Sequence, residues 1–405
     1  MKGKLTVLMV TAFVDMVGLI IIYPLLPFYA TRLGANATTV GALVATFSVA
    51  QLLSAPAWGW LSDRYGRRPA ILVGLLVSAA GYVTFAFADS LWLLFVSRIV
   101  QGLGGGTIGV VQAYVADITE GKDRAKALGW LSAVTSLGAV IGPALGSLLI
   151  DIGGRTAPGL GSAALCVLVS IFAWRFLRES HAVLSTSERK AMEALHPRGA
   201  ALQNVILRPK EPASRLIWIY AIAIGAFYGT TPMLPLILAD RLAVTEQNVG
   251  YFVMYLGGMG VIVRTAILGR MLEWLGEARL ARVGLVFLGA GLALVARITS
   301  YPTMIVAMTL MPIGTGLLFP CITAMLSRVV PNAQRGLYMG VQHTFGGISR
   351  VSFPLIVGFG MDALGMGVPF LFAGAMVLVT LMLTGSLEEY GHTPDAPPRE
   401  TIPAG

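Results

Sequence analysis

An aspartate and an arginine inside long apolar stretches are the residues of this sequence best placed to do chemistry. Asp15 lies about ten residues, or roughly 15 Å, into an apolar stretch that starts near residue 5. Arg98 lies about seven residues into another, which starts near residue 91. An aspartate at the centre of a membrane helix costs roughly 3 kcal/mol, so it usually faces a cavity and pairs or binds a proton. We predict that Asp15 and Arg98 form a proton-coupling pair; a static pair that only joins two helices is the alternative.

Another arginine, Arg350, lies about 14 residues into an apolar stretch and has no acidic residue near it in the sequence. It shares a helix face with His343, Gly346 and Gly347. Its charge needs a partner, which could be Asp15, backbone carbonyl groups or an anionic ligand. His343 could titrate near neutral pH, although a histidine in a helix is more often a hydrogen-bonded packing residue.

The composition indicates an integral membrane protein built from helices. The chain has 405 residues, of which 56% are hydrophobic and 12% charged, with 48 glycines and a mean hydropathy of +0.77. A water-soluble enzyme of this length does not show such values. Apolar stretches of about 20 residues predict membrane-spanning helices, and we number them helix 1 to helix 12. They cover residues 5–29, 38–60, 70–88, 91–115, 127–150, 159–178, 215–239, 247–268, 280–299, 302–327, 336–360 and 367–386.

Basic residues are distributed unequally between the two ends of these helices. With the N-terminus in the cytoplasm, 22 of the 29 Lys and Arg residues fall on the cytoplasmic side and four, Arg32, Arg155, Arg241 and Arg297, on the other. This positive-inside pattern explains the net charge of +9 without nucleic acid or another acidic partner. It predicts a multi-pass protein of the cell membrane, the inner membrane in a bacterium, with both termini cytoplasmic.

Nothing in the sequence indicates a cofactor, a metal centre, a disulfide or an enzyme. Cys166 and Cys321, the two cysteines, lie in apolar stretches and are expected to fill the core. The glycine-rich segment 102–106 lies inside helix 4, where it suits helix packing better than a nucleotide loop. The first apolar stretch is too long for a signal peptide, so we expect it to be retained as helix 1.

The two halves of the chain repeat the same motifs. The segment GWLSDRYGRR from Gly59 has a weaker copy, GRMLEWLGEA from Gly269, in which a glycine, a bulky apolar residue, an acid and a glycine recur in register. PLLP from Pro24 likewise matches PMLP from Pro232, and the offsets stay between 208 and 211 across six helices. A parallel repeat of this kind places a binding site between the halves near the middle of the bilayer.

This repeat divides the chain into four predicted regions. They are an N-terminal six-helix bundle over residues 1–180, a cytoplasmic linker over 181–214, a C-terminal six-helix bundle over 215–386 and a cytoplasmic tail over 387–405. The linker is polar and rich in proline. Its segment 187–195 could form a short surface helix, although a plain solvated linker fits the composition better.

These motifs resemble those of the major facilitator superfamily over essentially the whole chain. The loop between helices 2 and 3 carries the family's signature residues, here Asp63, Arg64, Gly66, Arg67 and Arg68. Helix 4 resembles the motif whose arginine is associated in the family with proton coupling, with Arg98, Gln101, Gly102 and Gly104. Helix 5 resembles the motif of drug and proton antiporters, with Gly129, Gly138, Gly142, Pro143 and Gly146. Ser147 stands where that motif has a further glycine.

The sequence of helix 1, FVDMVGLIIIYPLLP, is similar to the twelve-helix exporters that include the tetracycline antiporters. Those exporters carry further acidic residues in helices 3 and 9. This chain has Gly81 near the first of these places and apolar or small residues such as Ala290 near the second. Tetracycline is therefore not the expected substrate.

Two motifs have both a structural and a functional interpretation. In the signature loop, glycines allow tight turns, and Asp63 could pair with arginine beside a helix N-terminus and so latch one conformation. A solvated turn whose arginines only set topology is the alternative. The predicted latch comprises Gly59, Asp63, Arg64, Gly66, Arg67, Arg68 and Arg124.

In helix 5, the glycines form a small face that suits ordinary helix packing as well as it suits antiport.

The resemblance implies a secondary active transporter that alternates access to a central cavity and uses proton entry to export small amphiphilic compounds. The predicted cavity residues are Gln112, Tyr114, Tyr228, His343, Arg350 and Arg264. Arg264 lies near a helix end, from which its side chain could instead reach the membrane surface. Two alternatives stay open: a proton-linked importer or carrier of organic anions, which Arg350 favours, and a membrane receptor that does not transport. We expect a monomer in the lipid bilayer, without a cofactor.

Overall fold

The computed structural model describes residues 2–119, 121–180, 198–331 and 334–385, which are helical almost throughout. Among these described residues, ten helices are long and apolar enough to cross a membrane. One of them, Val249–Val295, turns at Gly276 and so contains two crossings, and a shorter apolar stretch, Val368–Thr384, supplies the last. The predicted fold of twelve membrane-spanning helices is confirmed. The possible surface helix at 187–195 and the tail from 387 lie outside the described residues.

We refer to residues 2–180 as the first half. Helix 1 comprises Lys2–Ile22 and Leu26–Arg32, helix 2 Ala37–Tyr65, helix 3 Arg67–Ala86, helix 4 Leu91–Gly105 and Ile108–Ile118, helix 5 Gly121–Gly153, and helix 6 Thr156–Phe176. Helix 4, which the sequence predicts as continuous, is interrupted by a turn at Gly106 and Thr107.

Residues 198–385 form the second half. It begins with a short helix, Arg198–Leu207, inside the predicted linker. Helix 7 comprises Pro212–Thr230, a 3₁₀ turn at Thr231–Met233 and Leu234–Leu242. Helix 8 comprises Val249–Ile262, a π-helical turn at Val263–Ile267 and the start of Leu268–Val295. The part of Leu268–Val295 beyond Gly276 is helix 9. Helix 10 is Tyr301–Val329, helix 11 Arg335–Leu364, and helix 12 Val368–Val379 with a 3₁₀ end at Thr380–Thr384.

The sequence repeat reappears as the same backbone features in both halves. Helix 1 is interrupted at residues 23–25 and helix 7 at Thr231–Met233, which are 208 positions apart. Prolines cause both breaks, because they lack the N–H that a helix interior requires. Gly66 and Gly276, at φ +104° and +71°, make the turns that follow helices 2 and 8. Only glycine adopts such angles without strain.

The two halves pack together through two equivalent pairs of helices. Helix 2 lies against helix 11, and helix 5 lies against helix 8. A Cβ atom at Gly41 would collide with the carbonyl oxygen of Pro354, and a Cβ atom at Gly250 with that of Pro143. Gly41 matches Gly250 in the repeat, and Pro143 matches Pro354. Both contacts therefore place a glycine against the backbone carbonyl of a proline at equivalent positions of the two halves.

These contacts lie toward the face of the bundle opposite the N-terminus, which we call the distal face. There, the Asp362 carboxylate of helix 11 accepts hydrogen bonds from the first N–H groups of helix 2, Ala37 at 3.1 Å and Thr38 at 2.8 Å. An acidic group at a helix N-terminus satisfies donors that the helix leaves free. The structure therefore holds the two halves together at the distal face.

Candidate functional site

A cavity of about 370 Å³ lies between helices 1, 4 and 5 of the first half. This volume is in the range of small-molecule sites. Its polar lining consists of Asp15, Gln112, Ser132 and Thr135. The apolar lining consists of Ala12, Met16, Ile108, Val111, Leu128 and Leu131. The structure thus brings two of the predicted residues, Asp15 and Gln112, into one mainly apolar cavity.

Asp15 does not form the predicted ion pair with Arg98. Within the described residues, neither side chain has an ion-pair partner. Tyr82 of helix 3 is a neighbour of both, because its phenol interacts electrostatically with each charge. Its ring also packs beside Gly18, one turn along helix 1 from Asp15. Tyr82 therefore lies near both charges, which form no ion pair with each other.

Arg98 is buried against aromatic rings, which is why it does not reach Asp15. Its side chain is 3% exposed. The guanidinium carbon lies 5.5 Å from the ring centroid of Phe85 and 6.0 Å from that of Phe47. Aromatic faces attract a cation, but they leave its N–H groups unsatisfied, and Nε and one terminal nitrogen have no hydrogen-bond partner.

Helix 4 packs so closely on its neighbours that its glycines have a structural explanation. Gly102 lies against the backbone of Phe47 in helix 2, and Gly104 lies against Ser78 in helix 3. Gln101 donates through Nε2 to the carbonyl oxygen of Gly81 at 3.0 Å, and a Cβ atom at Gly81 would lie 2.6 Å from Gln101 Cγ. A larger residue would not fit at position 81 unless helix 4 moved.

The glycines of helix 5 form a seam against helix 1. A Cβ atom at Gly138 would lie 2.8 Å from the carbonyl oxygen of Phe13, and one at Gly142 would lie 3.1 Å from that of Val17. Gly146 meets the carbonyl of Ile21 in the same way, whereas Gly129 faces open space. The seam therefore holds helix 1, and with it Asp15, against helix 5.

Ser147, which departs from the antiporter motif, joins the halves. Its hydroxyl donates to the carbonyl oxygen of Glu246 at 2.9 Å and accepts from the N–H of Gly250 at 3.0 Å. A glycine at this position would lose both hydrogen bonds. Sequence reasoning missed this role because the partners lie about 100 residues away.

Arg350 and Tyr228, both predicted to line a cavity, lie beside each other and outside the cavity that contains Asp15. The Arg350 guanidinium carbon is 4.6 Å from the centroid of the Tyr228 ring. His343 is exposed and interacts electrostatically with Arg350. The structure thus brings Tyr228, His343 and Arg350 into one cluster in the second half.

Two other predicted cavity residues lie elsewhere. Tyr114 is fully buried in the core of the first half, where its hydroxyl donates to the carbonyl oxygen of Arg178. It lies two residues after Gln112, about half a helical turn, and therefore on a different face of helix 4. Arg264 is exposed and lies in the π-helical turn of helix 8, outside the cavity that contains Asp15.

The signature loop forms a network within the first half. Arg67 binds Asp63 at 2.5 Å and Asp117 of helix 4 at 3.1 Å. The Glu179 carboxylate accepts from the backbone N–H groups of Arg67 at 2.8 Å and Arg68 at 3.1 Å, which caps helix 3. Within the described residues, these interactions join the loop to helices 4 and 6 and none reaches the second half.

The remaining predicted latch residues make weaker contacts. Arg64 is exposed, with its guanidinium carbon 5.3 Å from the ring centroid of Trp60. Arg124 is exposed, and its Nε donates to the carbonyl oxygen of Thr119 at 3.2 Å. Nothing lies within 4 Å of a Cβ atom placed on Gly59. The structure therefore concentrates the network on Asp63 and Arg67.

The second half repeats the central ion pair of this network with the charges exchanged. Arg67 and Asp117 correspond in the repeat to Glu277 and Arg328, at offsets of 210 and 211. Glu277 and Arg328 form an ion pair. A comparison that looked only for identical residues could not find this pair, because each position carries the opposite charge.

An acidic residue on the distal face binds two arginines of the other half. Glu246 precedes helix 8, is 4% exposed, and lies 2.7 Å from Arg32 and 3.6 Å from Arg155. Its second carboxylate oxygen, Oε2, is buried without a hydrogen-bond partner. Sequence reasoning missed this cluster because Arg32 lies 214 residues away.

We expect acidification to favour closure of the distal face through Glu246. Burial raises the pKa of this carboxyl, and Arg155 opposes the increase. The closed arrangement then binds a proton at Glu246 more tightly than an open one in which the carboxyl is solvated. Closure therefore strengthens as pH falls through the raised pKa and weakens as pH rises.

Spin labels on exposed distal loops would measure this effect. In a protein without its two native cysteines, labels at Asp89→Cys and Thr299→Cys should lie closer together at lower than at higher pH. Glu246→Gln should remove the dependence on pH. A pH response that persists in this variant would contradict the role of Glu246.

Comparison with known proteins identifies the family. A sequence model of the major facilitator superfamily matches the chain in two overlapping segments, residues 8–296 and 216–404. The chain belongs to the major facilitator superfamily. It is thus a multi-pass membrane protein and a secondary transporter, not an enzyme, as its motifs predicted.

Relatives in this superfamily include resistance proteins. Multidrug resistance protein 2 of Bacillus subtilis is 29% identical over 389 residues, covering 95% of this chain and 94% of that protein. The class C tetracycline resistance protein of Escherichia coli is 31% identical over 375 residues, covering 88% and 89%.

Solved structures support the fold. The human organic anion transporter MFSD10 has a TM-score of 0.67 at 21% identity, covering 95% of this chain and 99% of that one. A POT family transporter in complex with 5-aminolevulinic acid has a TM-score of 0.77 at 16% identity, covering 95% and 96%.

Proposed function

We propose that this member of the major facilitator superfamily is a proton-coupled antiporter that exports small amphiphilic compounds by alternating access. The observation that carries the proposal is Asp15, a carboxylate in a mainly apolar cavity with no ion-pair partner among the described residues. The printed names of the relatives, which concern drug resistance, support export.

The chemistry of Asp15 explains how protons and substrate would exclude each other. An ionised carboxylate in an apolar cavity attracts a cationic or hydrogen-bonding ligand, whereas a bound proton makes it neutral. Each ligand therefore weakens the binding of the other at this carboxyl, and that reciprocal effect is the basis of antiport. The glycine seam between helices 1 and 5 keeps Asp15 at the cavity while the halves move.

The distribution of charge supports an orientation in the membrane. We place the N-terminal face in the cytoplasm by the positive-inside pattern. The closed distal face is then extracellular, and the structure represents a state that opens to the cytoplasm. Residues 1–180 and 215–386 would move as two bundles joined by the linker 181–214, in a monomer of the inner membrane if the source is bacterial.

The signature loop would act as a latch in the opposite state, when the cytoplasmic face closes. We expect Asp63→Asn to slow transport about tenfold, equivalent to about 1.4 kcal/mol on the barrier, because it removes the carboxylate that holds Arg67. The amount of protein in the membrane should not change. The matched control is Asp123→Asn, which changes an exposed aspartate on the same face. An undiminished transport rate in Asp63→Asn would contradict the proposal that the loop acts as a latch.

Everted membrane vesicles, whose lumen corresponds to the outside of the cell, test the proposed direction of transport. The probes are rhodamine B, which carries a cationic ring system and a carboxylate, and its ethyl ester, which carries only the cation. Antiport predicts that an acidic lumen drives accumulation of a transported dye and that an ionophore abolishes it. The alternative, a proton-linked importer, predicts movement out of an acidic lumen, and a receptor predicts no movement.

A further inference from the structure

The second half contains a positive charge that no carboxylate balances. Arg350 is partly buried in helix 11, and within the described residues it takes part in no ion pair. Its Nε is buried without a hydrogen-bond partner. A cation inside the membrane ordinarily pairs with an anion or with carbonyl groups, so a negatively charged ligand would supply the partner that Arg350 lacks among the described residues.

Tyrosine side chains from both halves lie near this cation. Its guanidinium lies over the ring of Tyr228, whose side chain remains 38% exposed. The phenols of Tyr23 and Tyr220 also interact electrostatically with it. Tyr23 lies in the break of helix 1, and Tyr228 precedes the break of helix 7, so the cluster lies where the repeat interrupts both helices. These rings could receive the flat body of an aromatic ligand.

The neighbouring titratable groups favour an anion over a cation. His343, two turns before Arg350 on helix 11, interacts with it electrostatically. Asp15, the nearest candidate acid from sequence, faces the separate cavity of helices 1, 4 and 5. A guanidinium that stacks on a ring keeps its N–H edge free for a carboxylate, which it can bind through two parallel hydrogen bonds.

We propose that Arg350, with Tyr228 and Tyr23, forms a subsite that binds the carboxylate or sulfonate of an aromatic amphiphile. This inference rests on the proposed transport function and predicts that, among its substrates, amphiphiles with an anionic group are preferred.

Dye binding to the purified full-length protein tests the subsite. Fluorescence anisotropy at neutral pH would measure the dissociation constants of rhodamine B and of its ethyl ester, which differ only at the carboxylate. The wild type should bind rhodamine B at least tenfold more tightly than the ester. Arg350→Gln should remove this difference by weakening the binding of rhodamine B alone. Arg350→Lys keeps the charge but loses the planar, forked guanidinium, so it should retain part of the difference.

Arg297→Gln is the matched control, because Arg297 is an exposed arginine in a distal loop. It should leave the preference for rhodamine B unchanged. A wild type that binds both dyes equally or neither of them would overturn the subsite, and so would an Arg350→Gln protein that keeps the preference. If the Arg350→Gln protein fails to fold, the comparison of the two dyes on the wild type still tests whether the protein prefers a ligand with a carboxylate.

Failure of this subsite is distinguishable from failure of the proposed transport. The ethyl ester lacks the carboxylate, so wild-type vesicles should accumulate it when the lumen is acidic whether or not Arg350 binds carboxylates. Proton-driven accumulation of the ester, together with equal binding of rhodamine B and the ester, would reject the subsite and leave the antiport proposal intact. A carboxylate preference in binding without proton-driven accumulation would support the subsite and reject antiport.

Discussion

Asp15→Asn is expected to abolish proton-driven accumulation of dye in everted vesicles. The amide has nearly the same shape as the carboxyl group but cannot bind or release a proton, so movement of the substrate no longer depends on the proton gradient. Exchange of labelled for unlabelled dye across the membrane, without a gradient, should persist, because it requires only the conformational change. The expected loss of accumulation is complete, whereas exchange should fall by less than about tenfold.

The matched control for this variant is Asp89→Asn, which changes an exposed aspartate in a distal loop. It should accumulate dye like the wild type. Full accumulation in Asp15→Asn would mean that the proton binds elsewhere. Loss of both accumulation and exchange would show that Asp15 is needed for the movement itself rather than for coupling.

A disulfide across the distal face is expected to stop transport reversibly. Thr38 and Asp362 belong to different halves, and the Thr38 hydroxyl lies 2.5 Å from the Asp362 carboxylate. Cysteines at both positions, in a protein without Cys166 and Cys321, should form a disulfide on mild oxidation, because the side chains that they replace are in direct contact across the interface. The closed distal face cannot then open, so transport should fall to background and return when a reductant is added.

Each single cysteine variant serves as a control for the cross-link, since oxidation should not affect it. Mass spectrometry or a mobility shift would establish that the disulfide forms. Undiminished transport by the fully cross-linked protein would contradict alternating access through this face. The experiment needs no assumption about the substrate, because any transported dye reports the block.

Much of the fold could be predicted because it depends on local sequence. Twelve apolar stretches mark the crossings, whereas the breaks in helices 1 and 7 at the prolines 24 and 232 were found only in the structure. The turn at Gly276 was matched to Gly66 by position alone, and both glycines adopt positive φ. Lipid leaves backbone groups no alternative partners, so helices of this length follow directly from hydrophobicity.

Contacts between distant residues were harder to predict. Arg98 was expected to reach Asp15 because both lie deep in helices, but depth does not give the direction of a side chain. Arg98 points toward Phe47 and Phe85 instead. Tyr82, which is a neighbour of both charges, carries no motif that would have marked it in the sequence.

The distal cluster shows the same limit. Glu246 lies in a short loop, and nothing near it in the sequence indicates that Arg32 and Arg155 come together around it. The exchanged ion pair of Glu277 and Arg328 could have been found by aligning the halves and asking for opposite charges at paired positions. Repeat symmetry thus predicts where contacts form more reliably than which residue types form them.

The most direct test of the account is whether substrate binding expels a proton from Asp15. Purified protein in a weakly buffered, mildly acidic detergent solution would be mixed with rhodamine B ethyl ester while a pH indicator is monitored. Competition at the carboxyl predicts release of up to one proton for each dye bound, since two ligands that exclude each other at one site displace each other. Asp15→Asn should bind the dye and release none. Dye binding without proton release by the wild type, or equal release by Asp15→Asn, would contradict the central claim.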